Sequence, residues 1–294
     1  MPQITANNIA IEYEEYGDAA NPPMLLVMGL GAQLTLWPME LVEALVERGY
    51  RVIRYDNRDI GLSQKIDDAG NVSIPWTMIK ARFGFKPKVP YTLSDMAADA
   101  VGLLDALDIE KAHIVGASMG GMISQLIAAE HPDRVLSLTS VMSTTGHRKL
   151  PAAKREAFKA LTTRPADMEM ETIREHGLFI SRAIGSPGYP GDETRIKDRT
   201  EENFNRSYYP AGMARQLAAI IADGDRRTRL SAVTAPTLVV HGEADPLVTV
   251  EGGHDTAKHI PGAKLKTFPG MGHDLPLELV DPMADAIAEH AAAA

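Results

Sequence analysis

The stretch that decides the fold is H113-I-V-G-A-S-M-G-G-M-I-S124. An apolar β-type run, Ala112 to Val115, ends in Gly-Ala-Ser-Met-Gly, and a helix-type run, Met119 to Glu130, begins at once. A lone hydroxyl between small residues at a strand-to-helix turn is what a nucleophile elbow needs. Gly116 and Gly120 permit the tight turn and close helix–strand packing, and Ser118 stands at the helix N-terminus, where free N–H groups favour developing negative charge. A five-residue pattern recurs by chance, so the rest of the chain has to supply the context.

Working outward, strand and helix signals alternate. Strands are expected at Ile9 to Tyr16, Pro23 to Met28, Arg51 to Tyr55, Val135 to Val141, Thr237 to Val240 and Lys264 to Phe268. Helical spacing covers Leu41 to Arg48 and Leu93 to Leu107, the latter with Thr92 or Ser94 as cap, and a last helix starts near Leu277. Short, continuous apolar runs such as PPMLLVM suit strands covered on both faces, and the alternation predicts a mostly parallel central sheet flanked by helices. Residues 143–231 break the pattern: they are rich in charge, Pro and Gly, with helical stretches at Ala152 to Leu161 and Met168 to Ile180 and a loop at Gly185 to Glu193. The expectation is an α/β core of residues 1–142 and 232–294 with a helical insertion of residues 143–231.

Composition narrows the function. The 294 residues carry a net charge of −9 without a basic stripe, so no nucleic-acid partner is expected. No cysteine is present, which excludes disulfides, thiolate nucleophiles and Cys-ligated metals. With no signal-peptide pattern and no apolar run of membrane-spanning length, a cytoplasmic protein without a membrane partner is expected, as monomer or homodimer. No cofactor or metal is needed by the chemistry below, and His254 and His259 are too poorly spaced for a metal pair.

Ser is a weak nucleophile without a base, and the base needs an orienting acid. Asp245, in HGEADP, follows the TLVV strand, and His273, in FPGMGH, follows the next strand. Ser118, Asp245 and His273 therefore all fall at the carboxyl edge of one parallel sheet, where open α/β sheets bind ligands. Glu243 is the alternative acid, while the MSTTGH loop after Val141 offers none. His241 is expected to close its strand with a local hydrogen bond, and Asp274 to be structural. An oxyanion hole is expected from the backbone N–H groups of Met119 and Leu30, with Gly29 and Gly31 letting that loop approach a substrate oxygen.

On MGLG (28–31), YDNRDIGLS (55–63), GASMGG (116–121), HGEADPLV (241–248) and GMGH (270–273), the chain resembles the α/β-hydrolase superfamily over its whole length, and within it the aclacinomycin methylesterase type. The resemblance implies the α/β-hydrolase fold with a helical cap after the sixth strand, and Ser118, Asp245 and His273 as nucleophile, acid and base. It implies hydrolysis of small to medium esters, methyl esters among them, with lactonase, perhydrolase or C–C hydrolase chemistry, or a silent ligand-binding fold, as alternatives. Two departures stand out: Met28 replaces the usual His of the oxyanion loop, and Asp59 replaces the Gly after Arg58. Asp56, Arg58 and Ser63 then read as loop-holding residues. Trp76, Met142 and Met213 are expected at the substrate pocket, and Met78, Met168, Met170, Tyr208 and Tyr209 are further wall candidates.

Overall fold

The computed structural model describes residues 3–294; Met1 and Pro2 of the expected core segment lie outside the described residues. Eight strands, β1 (Gln3–Ala6), β2 (Ile9–Tyr16), β3 (Pro23–Val27), β4 (Arg51–Tyr55), β5 (Ala112–Ala117), β6 (Val135–Val141), β7 (Thr237–Gly242) and β8 (Lys264–Phe268), form one sheet in the order β1-β2-β4-β3-β5-β6-β7-β8. The β1–β2 and β2–β4 pairs are antiparallel and the other five are parallel.

The helices in the first half are α1 (Met39–Glu47), α2 (Ile74–Arg82), α3 (Leu93–Ala106) and α4 (Met119–Glu130). Between β6 and β7 follow α5 (Arg155–Thr162), α6 (Met170–Ile184), α7 (Glu193–Arg206), α8 (Pro210–Asp223) and α9 (Arg227–Leu230). Then come α10 (Val250–His259) and α11 (Val280–Ala292).

The continuous apolar strands follow from burial on both faces. Side chains alternate across a strand. Leu25 and Val27 of β3 join Ile53 and Ile114 in one core, while Met24 and Leu26 join Val52, Val115, Val141 and Val240 in the other. The in-register pairs Leu25–Ile53 and Leu25–Ile114 keep each set on one face, and a one-residue slip would put both sets in the wrong core. Of the two cap candidates for α3, Thr92 is the one used. Its Oγ1 accepts from Asp95 N–H at 3.1 Å, and Asp95 Oδ2 accepts from Thr92 N–H at 2.7 Å, a capping box that stabilises by about 1 kcal/mol.

Three elements carry no clear sequence signal. β1 is a four-residue edge strand, and α2 buries only Thr77. α7 buries no residue, so it lacks the apolar stripe by which a helix is recognised. What α7 turns toward the core is polar. Arg195 pairs with Glu40, Asn203 meets Gln33 and Thr35, and Arg206 reaches Gln33 and Asp56. The spacing of four, four and three residues from Arg195 through Arg199 and Asn203 to Arg206 puts these contacts on one helix face.

Candidate active site

The elbow is built where β5 passes into α4. Ser118 has φ +57° and ψ −117°, a strained conformation for a residue with a side chain. Its neighbours hold it there: Ser118 N–H donates to Val141 O at 2.9 Å, and Ser143 Oγ donates to Ser118 O at 2.8 Å. The two elbow glycines are required sterically. A Cβ at Gly116 would sit 2.2 Å from Gly120 O, and one at Gly120 would sit 1.9 Å from Val27 O.

His273 and Asp245 come from the loops after β8 and β7. His273 Nε2 lies 2.9 Å from Ser118 Oγ, and His273 Nδ1 lies 2.7 Å from Asp245 Oδ2. Asp245 is buried, and its other oxygen accepts from Leu247 and Val248 N–H, each at 2.9 Å. Burial alone would raise the Asp245 carboxyl. The attraction of His273, backed by His241 and the Val248 N–H, outweighs burial and holds it at about 2. An ionised carboxylate only accepts, so the imidazole proton belongs on Nδ1, and the Nε2 lone pair faces the serine hydroxyl. His241 is fully buried; its Nε2 is 2.7 Å from Val248 O and 3.6 Å from Asp245 Oδ2. Glu243 does not compete as orienter, because it is exposed and accepts from Thr267 Oγ1 at 2.7 Å.

The loop after β3 lies against Ser118: a Cβ on Gly29 would be 3.2 Å from Ser118 Cβ. Among the described residues, neither Leu30 N–H nor Met119 N–H donates a hydrogen bond, and Met119 is the first residue of α4. Asn57 Nδ2 donates to Met28 O at 2.9 Å, so this loop is tied to the loop after β4 although Met28 itself offers no polar side chain.

The insertion grips every loop of the site. Gly31 N–H donates to Gln216 Oε1 at 2.9 Å, and Gln216 Nε2 donates to Arg58 O at 2.9 Å. Asp56 accepts from Leu34 N–H, Leu62 N–H and Arg206, while Ser63 Oγ donates to Asp56 O at 2.6 Å. Arg58 forks onto Asp99 instead. Asp59, at φ +70°, takes a buried two-pronged contact from Arg215 at 2.7 and 2.9 Å. On the histidine side, His273 N–H donates to Ile184 O at 2.7 Å, Gly272 N–H to Ser186 Oγ at 2.8 Å, and Ser186 Oγ to Asp274.

The expected pocket residues divide. Met213 packs on the loop after β3, its Cγ 3.0 Å from where a Gly31 Cβ would be. Met142 is buried at the end of β6 with φ +41°. Trp76 lies apart from these two. It is 56% exposed on α2, with Lys80 Nζ 5.5 Å from its ring centroid. Met78 and Met168 are likewise exposed. Gln216, Arg215 and Ser143 were missed. The one local signal was Asp59, whose carboxylate in a glycine position implies a buried cation to meet it.

A mostly parallel sheet with a strained serine at the β5–α4 turn, and His and Asp delivered from the last two strand ends, defines the α/β-hydrolase class. The model of the α/β hydrolase fold family matches residues 22–278, and the chain belongs to that family. It is 30% identical to the rhodomycin D methylesterase DnrP of Streptomyces peucetius, over 99% of this chain and 98% of that one. It is 27% identical to 3-oxoadipate enol-lactonase 2 of Acinetobacter baylyi, over 90% and 87%. The solved enol-lactonase from Burkholderia xenovorans superposes with a TM-score of 0.73 at 25% identity, covering 98% of this chain and 99% of that one.

Proposed function

We propose that the protein is a serine hydrolase of small to medium carboxylic esters, methyl esters among them, acting through an acyl-enzyme. The observation that carries this is the continuous hydrogen-bond chain from Ser118 Oγ through His273 to buried Asp245, at 2.9 and 2.7 Å. Ser118 Oγ attacks the ester carbonyl as His273 Nε2 takes its proton. Asp245 keeps the imidazole in the Nδ1–H tautomer and stabilises the imidazolium. Leu30 and Met119 N–H groups receive the oxyanion, His273 returns the proton to the departing alcohol, and the same histidine then activates the water that releases the acid. No cofactor enters these steps. The insertion acts as the cap, with Met213 and Met142 facing the acyl group, and thioether walls adapt to varied shapes. The methylesterase among the relatives supports a methyl ester. Lactone opening is the second reading, favoured by the two enol-lactonase relatives, and it uses the same acyl chemistry.

The test is a chain-length series of p-nitrophenyl esters, with Ser118→Ala beside the wild type. Turnover lost in the variant, with a preference for short acyl chains, is the expected result. No turnover on any ester, with lactones opened, would replace the ester by the lactone reading.

A second prediction concerns Gln216, fully buried and bonded both to Gly31 N–H and to Arg58 O. Gln216→Leu leaves both groups unpaired and frees the loop bearing Leu30. We expect kcat to fall about ten- to a hundredfold with KM little changed, because the loss is one of positioning. A variant with wild-type kcat would show that the loop holds its shape without the cap.

A further inference from the structure

The strongest feature unused by the site is the outer face of α2 and the turn after it. Trp76, Ile79 and Phe83 recur at helical spacing and form an exposed stripe opposite buried Thr77. Phe83 is 74% exposed, and Phe85, beyond Gly84, is 68% exposed. Lys80 flanks the stripe on one side and Arg82 on the other, and Lys86 and Lys88 follow. From residue 69 to residue 94 the chain has these four cations and no Asp or Glu, in a protein of net charge −9. Among the described residues, none of the four cations is in a salt bridge; Lys80 lies over the Trp76 ring.

We propose that this element docks on the surface of an anionic bilayer. An apolar stripe bearing Trp and Phe, bordered by Lys and Arg, is the composition that lies in the headgroup plane. The rings enter the acyl boundary while the cations meet lipid phosphates. The patch suits a lipid surface better than a protein. A nine-residue helix is about 13 Å long, too short to supply the roughly 800 Å² per partner of a stable interface, whereas shallow insertion needs little area. Among the described residues no helix is long and apolar enough to cross a membrane, so the contact would be peripheral. α2 packs on α8, the helix whose Met213 rests on the oxyanion loop, so docking would bring the cap to where amphiphilic esters partition.

The experiment is cosedimentation with vesicles of phosphatidylcholine mixed with phosphatidylglycerol and of phosphatidylcholine alone. It compares the wild type with Phe83→Ser/Phe85→Ser and with Lys86→Glu/Lys88→Glu, and needs no activity, so it stands apart from the ester reading. All four side chains are exposed, and unchanged melting of both variants checks the fold. The expected result is binding to the mixed vesicles that weakens with salt and drops about tenfold or more in each variant. The proposal is overturned if the wild type ignores the mixed vesicles, or if both variants bind them undiminished. It is equally overturned if the wild type is a dimer that both variants turn into monomers without any vesicle binding, since a second copy then covers the face.

Discussion

Ser118→Ala keeps its fold and loses about four to six orders of magnitude in kcat on any ester the wild type hydrolyses. Only the hydroxyl group is removed. Ser118 N–H and O keep their bonds to Val141 and Ser143, so the elbow stays in place. His273→Ala has a similar effect, because a serine without its base is hardly nucleophilic at neutral pH. The double variant is hardly worse than either single one, since the two residues act as a unit. Steady-state kinetics with a melting curve for each variant checks this. A folded Ser118→Ala enzyme with near-wild-type turnover would remove the serine from the mechanism, and additive losses would show that serine and histidine work separately.

Arg215→Met destabilises the protein by about 3–5 kcal/mol, lowering the melting temperature by about 5–8 °C. Both members of the Asp59–Arg215 pair are buried, with side-chain exposures of 0% and 2%. Removing the guanidinium strands a carboxylate that also accepts from Ile66 N–H at 2.7 Å. Asp59→Gly/Arg215→Met regains most of the loss, because no charge is left unpaired and glycine tolerates φ +70° without strain. Differential scanning calorimetry of the three proteins decides it. Equal melting of Arg215→Met and wild type would mean that water reaches Asp59. The pair also has a pH signature. Burial would raise the Asp59 carboxyl, but the Arg215 fork and Ile66 N–H outweigh it and leave it below the usual carboxylate range. A folded-state value below the unfolded one gives stability that is complete above about pH 4 and is lost as pH falls through the depressed folded value.

The two variants probe parts of the molecule that differ in how far the chain announces them. Ser118 is legible because its context is local: strand, tight turn and helix lie within twenty residues, and the packing that demands Gly116 is between adjacent β5 and α4. Asp245 and His273 are legible because a parallel sheet delivers all its strand ends to one edge. Contacts made by the insertion are different. Gln216 meets Gly31 across 185 residues and Arg215 meets Asp59 across 156, with no spacing rule to pair them. Only the carboxylate at position 59, odd where a glycine is usual, hinted that a partner existed.

Trp76 shows the same limit from the other side. By composition it belonged with the pocket-forming residues; its exposure depends on which face of α2 meets α8, and a helix that buries a single Thr gives no periodicity from which to read that face. By itself, then, the sequence determined the layered α/β core and the order and edge of the three candidate catalytic residues, because short-range periodicity and backbone sterics dictate them. The tertiary structure alone decided how the insertion holds the loop after β3, where Asp59 finds its cation, and which aromatic residues stay on the surface, because those depend on contacts between segments far apart in the chain.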